Sequence, residues 1–166
     1  MKDIIFISGA PGIGKTSIGR ILKEKLKSPY IDLAWLRSYH LDSKWKNANN
    51  KEEKMSLSNL RFIIRNYLKN GYKNIVITDL RSKSREKLVK SFSNTNYLII
   101  RLVINDDKEL KKRVLTESRD SGWRDYEKSI KLNKTIKERD LWKNEVEIDN
   151  THNSPNKTVK EILKHL

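Results

Sequence analysis

Apolar residues along this chain fall into two alternating rhythms. Short runs rich in β-branched residues occupy positions 4–8, 30–33, 74–79, 97–104 and 146–149. Several lack polar alternation, the pattern of strands covered on both faces. Between them apolar residues recur at helical spacing. In 55–70, Leu60, Ile63, Ile64, Tyr67 and Leu68 share one stripe, and Gly71 is placed to take the left-handed stop position. Near the end, Ser154 reads as a helix cap and Pro155 as the first helical residue, followed by Val159, Ile162, Leu163 and Leu166. Strands alternating with helices predict βαβ units, hence an α/β fold: a five-stranded parallel sheet in a three-layer α/β/α sandwich. No internal repeat or Gly/Ser linker interrupts 1–166, so one domain is expected. In such sheets ligands bind beyond the carboxyl ends of the strands, which directs attention to Gly9, Asp32 and Asp79.

Composition narrows the chemistry. The 166 residues are 36% hydrophobic and 34% charged, a thinly apolar globular balance. The chain has no cysteine, which excludes disulfides, cysteine–zinc sites and thiol nucleophiles and fits a reducing compartment. No stretch approaches the roughly 18 apolar residues of a membrane span, and the first apolar run is too short for a signal peptide. A cytoplasmic protein without a membrane partner is expected. The formal net charge is +15, yet basic residues are scattered, with no block of five or six together. That spread describes solvated helix faces better than a nucleic-acid track, and nucleic acid is kept as the second class of partner.

One string carries specific chemistry. Gly9-Ala10-Pro11-Gly12-Ile13-Gly14-Lys15-Thr16 matches G-x-x-x-x-G-K-[ST] in full, between the strand at 4–8 and a helix at 17–26 that opens with Ser17. The glycines let the backbone curl so that successive N–H groups point at phosphate oxygens, and the helix adds its positive N-terminal end. Lys15 is expected to reach the β- and γ-phosphates of ATP, and the Thr16 hydroxyl to ligate Mg²⁺. The apolar run 74–79 ends in Asp79, an acid at the strand end of the kind that holds magnesium; the other reading of Asp79 is a turn residue. Arg81 and Arg85 follow closely, either as acceptor contacts or as a solvated basic helix start.

The chain lacks an Asn-Lys-x-Asp base-reading motif, because Asn133-Lys134-Thr135 runs on to Ile136 and sits in a helical pattern. It also lacks an acidic pair after the third strand, where Leu80 follows Asp79. With the phosphate loop, its flanks and the short length, the chain resembles the P-loop kinases of nucleotides and small metabolites, the group of adenylate-kinase-like and shikimate- or gluconate-kinase-like enzymes. The resemblance is tight over 9–16 and loose over most of the remainder.

That resemblance implies further roles. Asp32 and Arg37 stand where nucleotide kinases carry an acid and an acceptor-gripping arginine, although the family's glycine is missing. Asp32 is similar to the aspartate with which hydroxyl-phosphorylating relatives orient or deprotonate the acceptor alcohol; its other reading is a helix N-cap. Arg37 is the candidate grip for a phosphate or carboxylate. Related kinases close an arginine-bearing flap over the phosphates, which implies a lid over about 113–128 with Arg119 or Arg124 entering the site and Gly122 as a bend; the alternative is surface pairing with Asp120 and Asp125. In relatives the loop after the last strand, here 149–155, lines the adenine pocket. The expectation is an enzyme that moves the γ-phosphoryl group of ATP to a small acceptor, a nucleotide or a hydroxyl metabolite, with catalytic Lys15, Asp32, Arg119 and Arg124, acceptor contacts Asp32, Arg37 and Arg81, and Mg²⁺ at Thr16 and Asp79. The alternatives are a polynucleotide 5′-hydroxyl kinase and a non-catalytic ATP-dependent binding module.

Overall fold

The structure is a computed structural model that describes residues 1–80, 82–117 and 121–166, with the backbone alone at 82 and 83. Arg81 and Arg119, expected in the site, lie outside the described residues. Strands β1 (Ile4–Ser8), β2 (Tyr30–Asp32), β3 (Ile75–Thr78), β4 (Tyr97–Val103) and β5 (Glu145–Asp149) form one sheet in the order β2-β3-β1-β4-β5, parallel throughout. Residues 4–8 of β1 pair with 97–101 of β4, so Ser8, the last residue before Gly9, lies beside Arg101.

The helices among the described residues are α1 (Lys15–Leu26), α2 (Leu33–Ser38), α3 (Asn50–Lys69), α4 (Ser82–Lys90), α5 (Asp107–Leu115) and α6 (Tyr126–Glu138) between the strands, and α7 (Pro155–Leu163) after the last of them. Alternate strand residues face opposite layers, as the two-residue period requires. Ile5, Ile7, Leu98, Ile100 and Leu102 pack with Ile18 and Leu22 of α1, Leu110 and Val114 of α5, and Val159 and Ile162 of α7. Ile4, Phe6, Ile75, Ile77 and Ile99 pack on the other face with Leu57, Leu60 and Ile64 of α3 and Leu88 of α4. Each fully buried Leu or Ile contributes roughly 1.5–3 kcal/mol, so both helical layers are held chiefly by this burial.

The α/β/α expectation holds, with shifts at the element ends. Leu33 opens α2 rather than closing β2, because the Asp32 side chain accepts the Ala34 amide and caps the helix. Helix α3 starts at Asn50 rather than near 55: Asn49 accepts from the Lys51 and Glu52 amides, and Glu52 and Glu53 complement the positive helix end. Ser154 caps α7 with Pro155 in its first turn, and Gly71 (φ 80°) takes the left-handed position after α3, both as expected. Asn133 has a structural place in α6, where its amide clasps the Ile104 backbone through N–H and carbonyl at once.

Candidate active site

The sheet order places β1 between β3 and β4, so the turn after β1 opens at the centre of the carboxyl edge. There Gly9, Gly12 and Gly14 all have positive φ, 147°, 86° and 103°. The backbone curls around the start of α1, and Ile18 donates back to Gly14. Gly12 has a second reason to be glycine: a Cβ there would stand 2.5 Å from Val114 Cγ2, so the end of α5 lies directly on the loop. The Lys15 ammonium lies over the loop's own crown, donating to the Gly9 and Ala10 carbonyls at 3.0 Å each. Ala10 and Ile13 are buried, Pro11 half-buried and Ser17 exposed. From the far side, Asn150 donates to the Ile13 carbonyl at 2.7 Å and accepts from Thr158. The loop after β5 thereby braces the phosphate loop.

Beside the loop, oxygen atoms converge. Thr16 Oγ1 stands 3.5 Å from Asp32 Oδ2, which also accepts from Thr78 Oγ1 at 2.9 Å and Tyr30 OH at 3.3 Å, while Asp32 Oδ1 takes the Ala34 amide. Gly19 allows this arrangement. A Cβ at Gly19 would meet the Tyr30 ring at 2.6 Å, so only glycine lets the ring lie on α1 with its hydroxyl at Asp32. Burial drives the Tyr30 phenol pKa upward, with the Asp32 carboxylate adding to the shift, so Tyr30 acts there as a neutral donor. A hydroxyl beside a carboxylate oxygen is a hard-oxygen set of the kind Mg²⁺ takes while keeping several waters. Asp79 stands exposed at the end of β3 with φ 62°, a left-handed backbone that aspartate tolerates better than most residues.

The other expected residues are placed as follows. Arg37 is 5% exposed and gives Nε and Nη2 to the Glu52 carboxylate, while its guanidinium covers the Trp45 ring at 4.7 Å. Glu52 also accepts from Ser56 at 2.6 Å and stands 2.9 Å from His40 Nε2. Arg124 is exposed and turns back on its own segment, donating to the Ser121 and Trp123 carbonyls. The stretch expected to form the lid is flanked by two anchors. Arg113 at the end of α5 donates to the Thr151 carbonyl at 2.7 Å, and Arg101 of β4 donates to the Ile136 and Arg139 carbonyls at the end of α6. Sequence reasoning missed Tyr30, Gly19, Asn150 and Thr78. Of these, only Thr78 carried a signal, its place beside an acid at a strand end.

A family model for the AAA domain matches residues 5–131, and the chain belongs to that family. Its fold is that of the P-loop small-molecule kinases. Over 99% of its length it superposes on 91% of a gluconokinase from Sinorhizobium meliloti 1021, with a TM-score of 0.71 at 17% identity. A sugar kinase from Janibacter sp. HTCC2649 is similar over 99% of this chain and 94% of that one, with a TM-score of 0.70 and 12% identity. Shikimate kinase from Aquifex aeolicus vf5 is similar over 97% and 94%, with a TM-score of 0.63 and 15% identity. No curated protein matches the chain significantly.

Proposed function

We propose that this chain is an ATP-dependent phosphotransferase that moves the γ-phosphoryl group to a small-molecule acceptor with the help of Mg²⁺. The observation that carries the reading is the glycine crown at the start of α1, with Lys15 over it and the Thr16 hydroxyl facing a buried Asp32. Phosphoryl transfer depends mainly on positioning and on charge stabilisation. Lys15 and the amides of the loop hold the β- and γ-phosphates. Thr16 would hold the magnesium ion, with Asp32 and Asp79 as the nearby carboxylates. When bound, magnesium neutralises charge on the phosphate oxygens. Asp32, already accepting from four donors, is set to orient rather than to deprotonate the acceptor hydroxyl.

The acceptor side is assigned to Asp32, Arg37 and Arg81. Arg37 serves by building the wall: holding Glu52 and covering Trp45, it fixes the 39–49 connector against α3. The stretch over 113–128 is the lid, with Arg119 or Arg124 closing on the phosphates. The sugar and shikimate kinase names of the structural neighbours support a small hydroxyl-bearing acceptor.

The test is Lys15→Ala. Circular dichroism and the melting temperature are expected to stay as in the parent. ADP release across a panel of small acceptors is expected to fall by about two to three orders of magnitude. Turnover that survives in the variant removes the proposal.

A further inference from the structure

Two arginines expected to reach an acceptor are engaged within the chain instead. Arg37 follows Asp32 by little more than one helical turn, at the start of the connection from β2 to α3. It is 5% exposed and gives Nε and Nη2 to the Glu52 carboxylate. Glu52 is itself buried and accepts also from Ser56, with His40 Nε2 at 2.9 Å, so its oxygens are filled by the chain's own groups. Trp45 covers the Arg37 guanidinium from the connector between α2 and α3. It does so from a left-handed backbone (φ 57°), which a bulky residue keeps only where the surroundings hold it. Arg85 is withdrawn in another direction, as neither an acceptor contact nor a solvated helix start. It is 2% exposed, with its guanidinium 4.8 Å from the Trp142 ring, at the amino edge of β4 and β5 and away from the phosphate loop.

The consequence is electrostatic. With Glu52 ionised beside it, Arg37 brings no net charge to the wall that follows Asp32. Lending the guanidinium to a ligand would leave Glu52 buried without its counter-charge, which is strongly destabilising. An acidic group of an acceptor would therefore shed its hydration against a buried carboxylate, with no guanidinium released to offset it. An uncharged hydroxyl meets neither penalty. Lys44 and Lys46 of the connector are exposed, where solvent screens them.

We propose that Glu52 is the specificity determinant of the acceptor side: by engaging Arg37 it disfavours acidic acceptors and selects uncharged hydroxyl compounds. The proposal rests on the phosphotransferase reading and narrows its acceptors to neutral ones. Rejection of the wrong partner by an unpaired charge is a recognised route to selectivity, and here the rejecting charge is built into α3.

The experiment measures kcat/KM by ADP release for matched pairs of acceptors: an alditol against its aldonate, a pyranose against its uronate, and a nucleoside against its 5′-monophosphate. In the parent chain the neutral member is expected to be favoured by about tenfold or more. Glu52→Gln keeps the shape of the wall and uncovers the Arg37 charge, so the acid is expected to gain about tenfold relative to its neutral partner. Glu52→Asp, which keeps the carboxylate, is expected to retain the parent preference. A merely structural role for Glu52 would lower both members of a pair alike and leave their ratio in place. Circular dichroism checks that both variants fold, and the parent ratio stands as a test without either of them. Preference for the acid in the parent chain, or a ratio that Glu52→Gln leaves unchanged, overturns the proposal. If such turnover is lost in Lys15→Ala, the phosphotransferase reading survives that failure. Absence of turnover with every pair removes both.

Discussion

Glu52 shows how much one side chain can organise. It accepts from Arg37, Ser56 and His40, and the Arg37 guanidinium above all holds its pKa down at about 2 against the opposing effect of burial. In an unfolded chain a glutamate titrates near 4.3, so the depressed value stabilises the fold above that pH and the contribution disappears as pH falls towards 2. Urea unfolding at pH 7 and pH 3 is expected to show a loss on the order of 2 kcal/mol that is absent in Glu52→Gln. Equal acid sensitivity in both chains would mean that the pair stabilises nothing. The same cluster marks where side-chain roles ceased to be legible. Lys15 and Thr16 sit in a motif whose spacing is local, so their placement beside one another follows from the string alone. Arg37 takes its partner from the next helix, and Arg85 takes its burial from Trp142, choices made by tertiary packing that no local pattern encodes. Asp32 had two readings, helix cap and site acid; its Oδ1 takes the capping Ala34 amide while its Oδ2 faces Thr16.

Elements were legible where periodicity was strong and blurred where capping decided. The buried strands announced themselves as continuous apolar runs, and the stripe of α3 as helical spacing. The first turn of α3 is polar, so its start was visible only through Asn49 and the acids behind it. Helix α1 carries the sharper lesson, because its Gly19 looks like a weakness inside a helix. Alanine is the better helix former by up to about 1 kcal/mol, yet its Cβ would meet the Tyr30 ring at 2.6 Å. Overpacking of this kind costs about 1–3 kcal/mol, so Gly19→Ala is expected to lower stability in chemical denaturation, with the Tyr30 hydroxyl pushed from Asp32. A gain in stability would show that the ring has space the geometry does not allow it.

At the scale of the molecule, the fold class was legible from the alternation of elements, but the strand order was not, since it depends on which crossover passes over which edge. No helix among the described residues is long and apolar enough to cross a membrane. The net charge of +15 bears on the acceptor rather than on the fold. A polynucleotide would release about 0.7–0.9 counterions per phosphate contacted and give a steep salt dependence. A small acceptor held at one site is expected to give a log–log slope of about one or less when acceptor binding is followed from about 50 to 200 mM salt. A slope several times steeper would favour a strand end. The two arginine anchors set the last consequence. With Arg113 tying the end of α5 to the Thr151 carbonyl and Arg101 tying the end of α6 to the sheet, the chain that joins the two helices starts and finishes on fixed ground. An engineer who substitutes the exposed Ser121 or Gly122 there works on a surface whose fastenings, and the framework beneath, stay as they are.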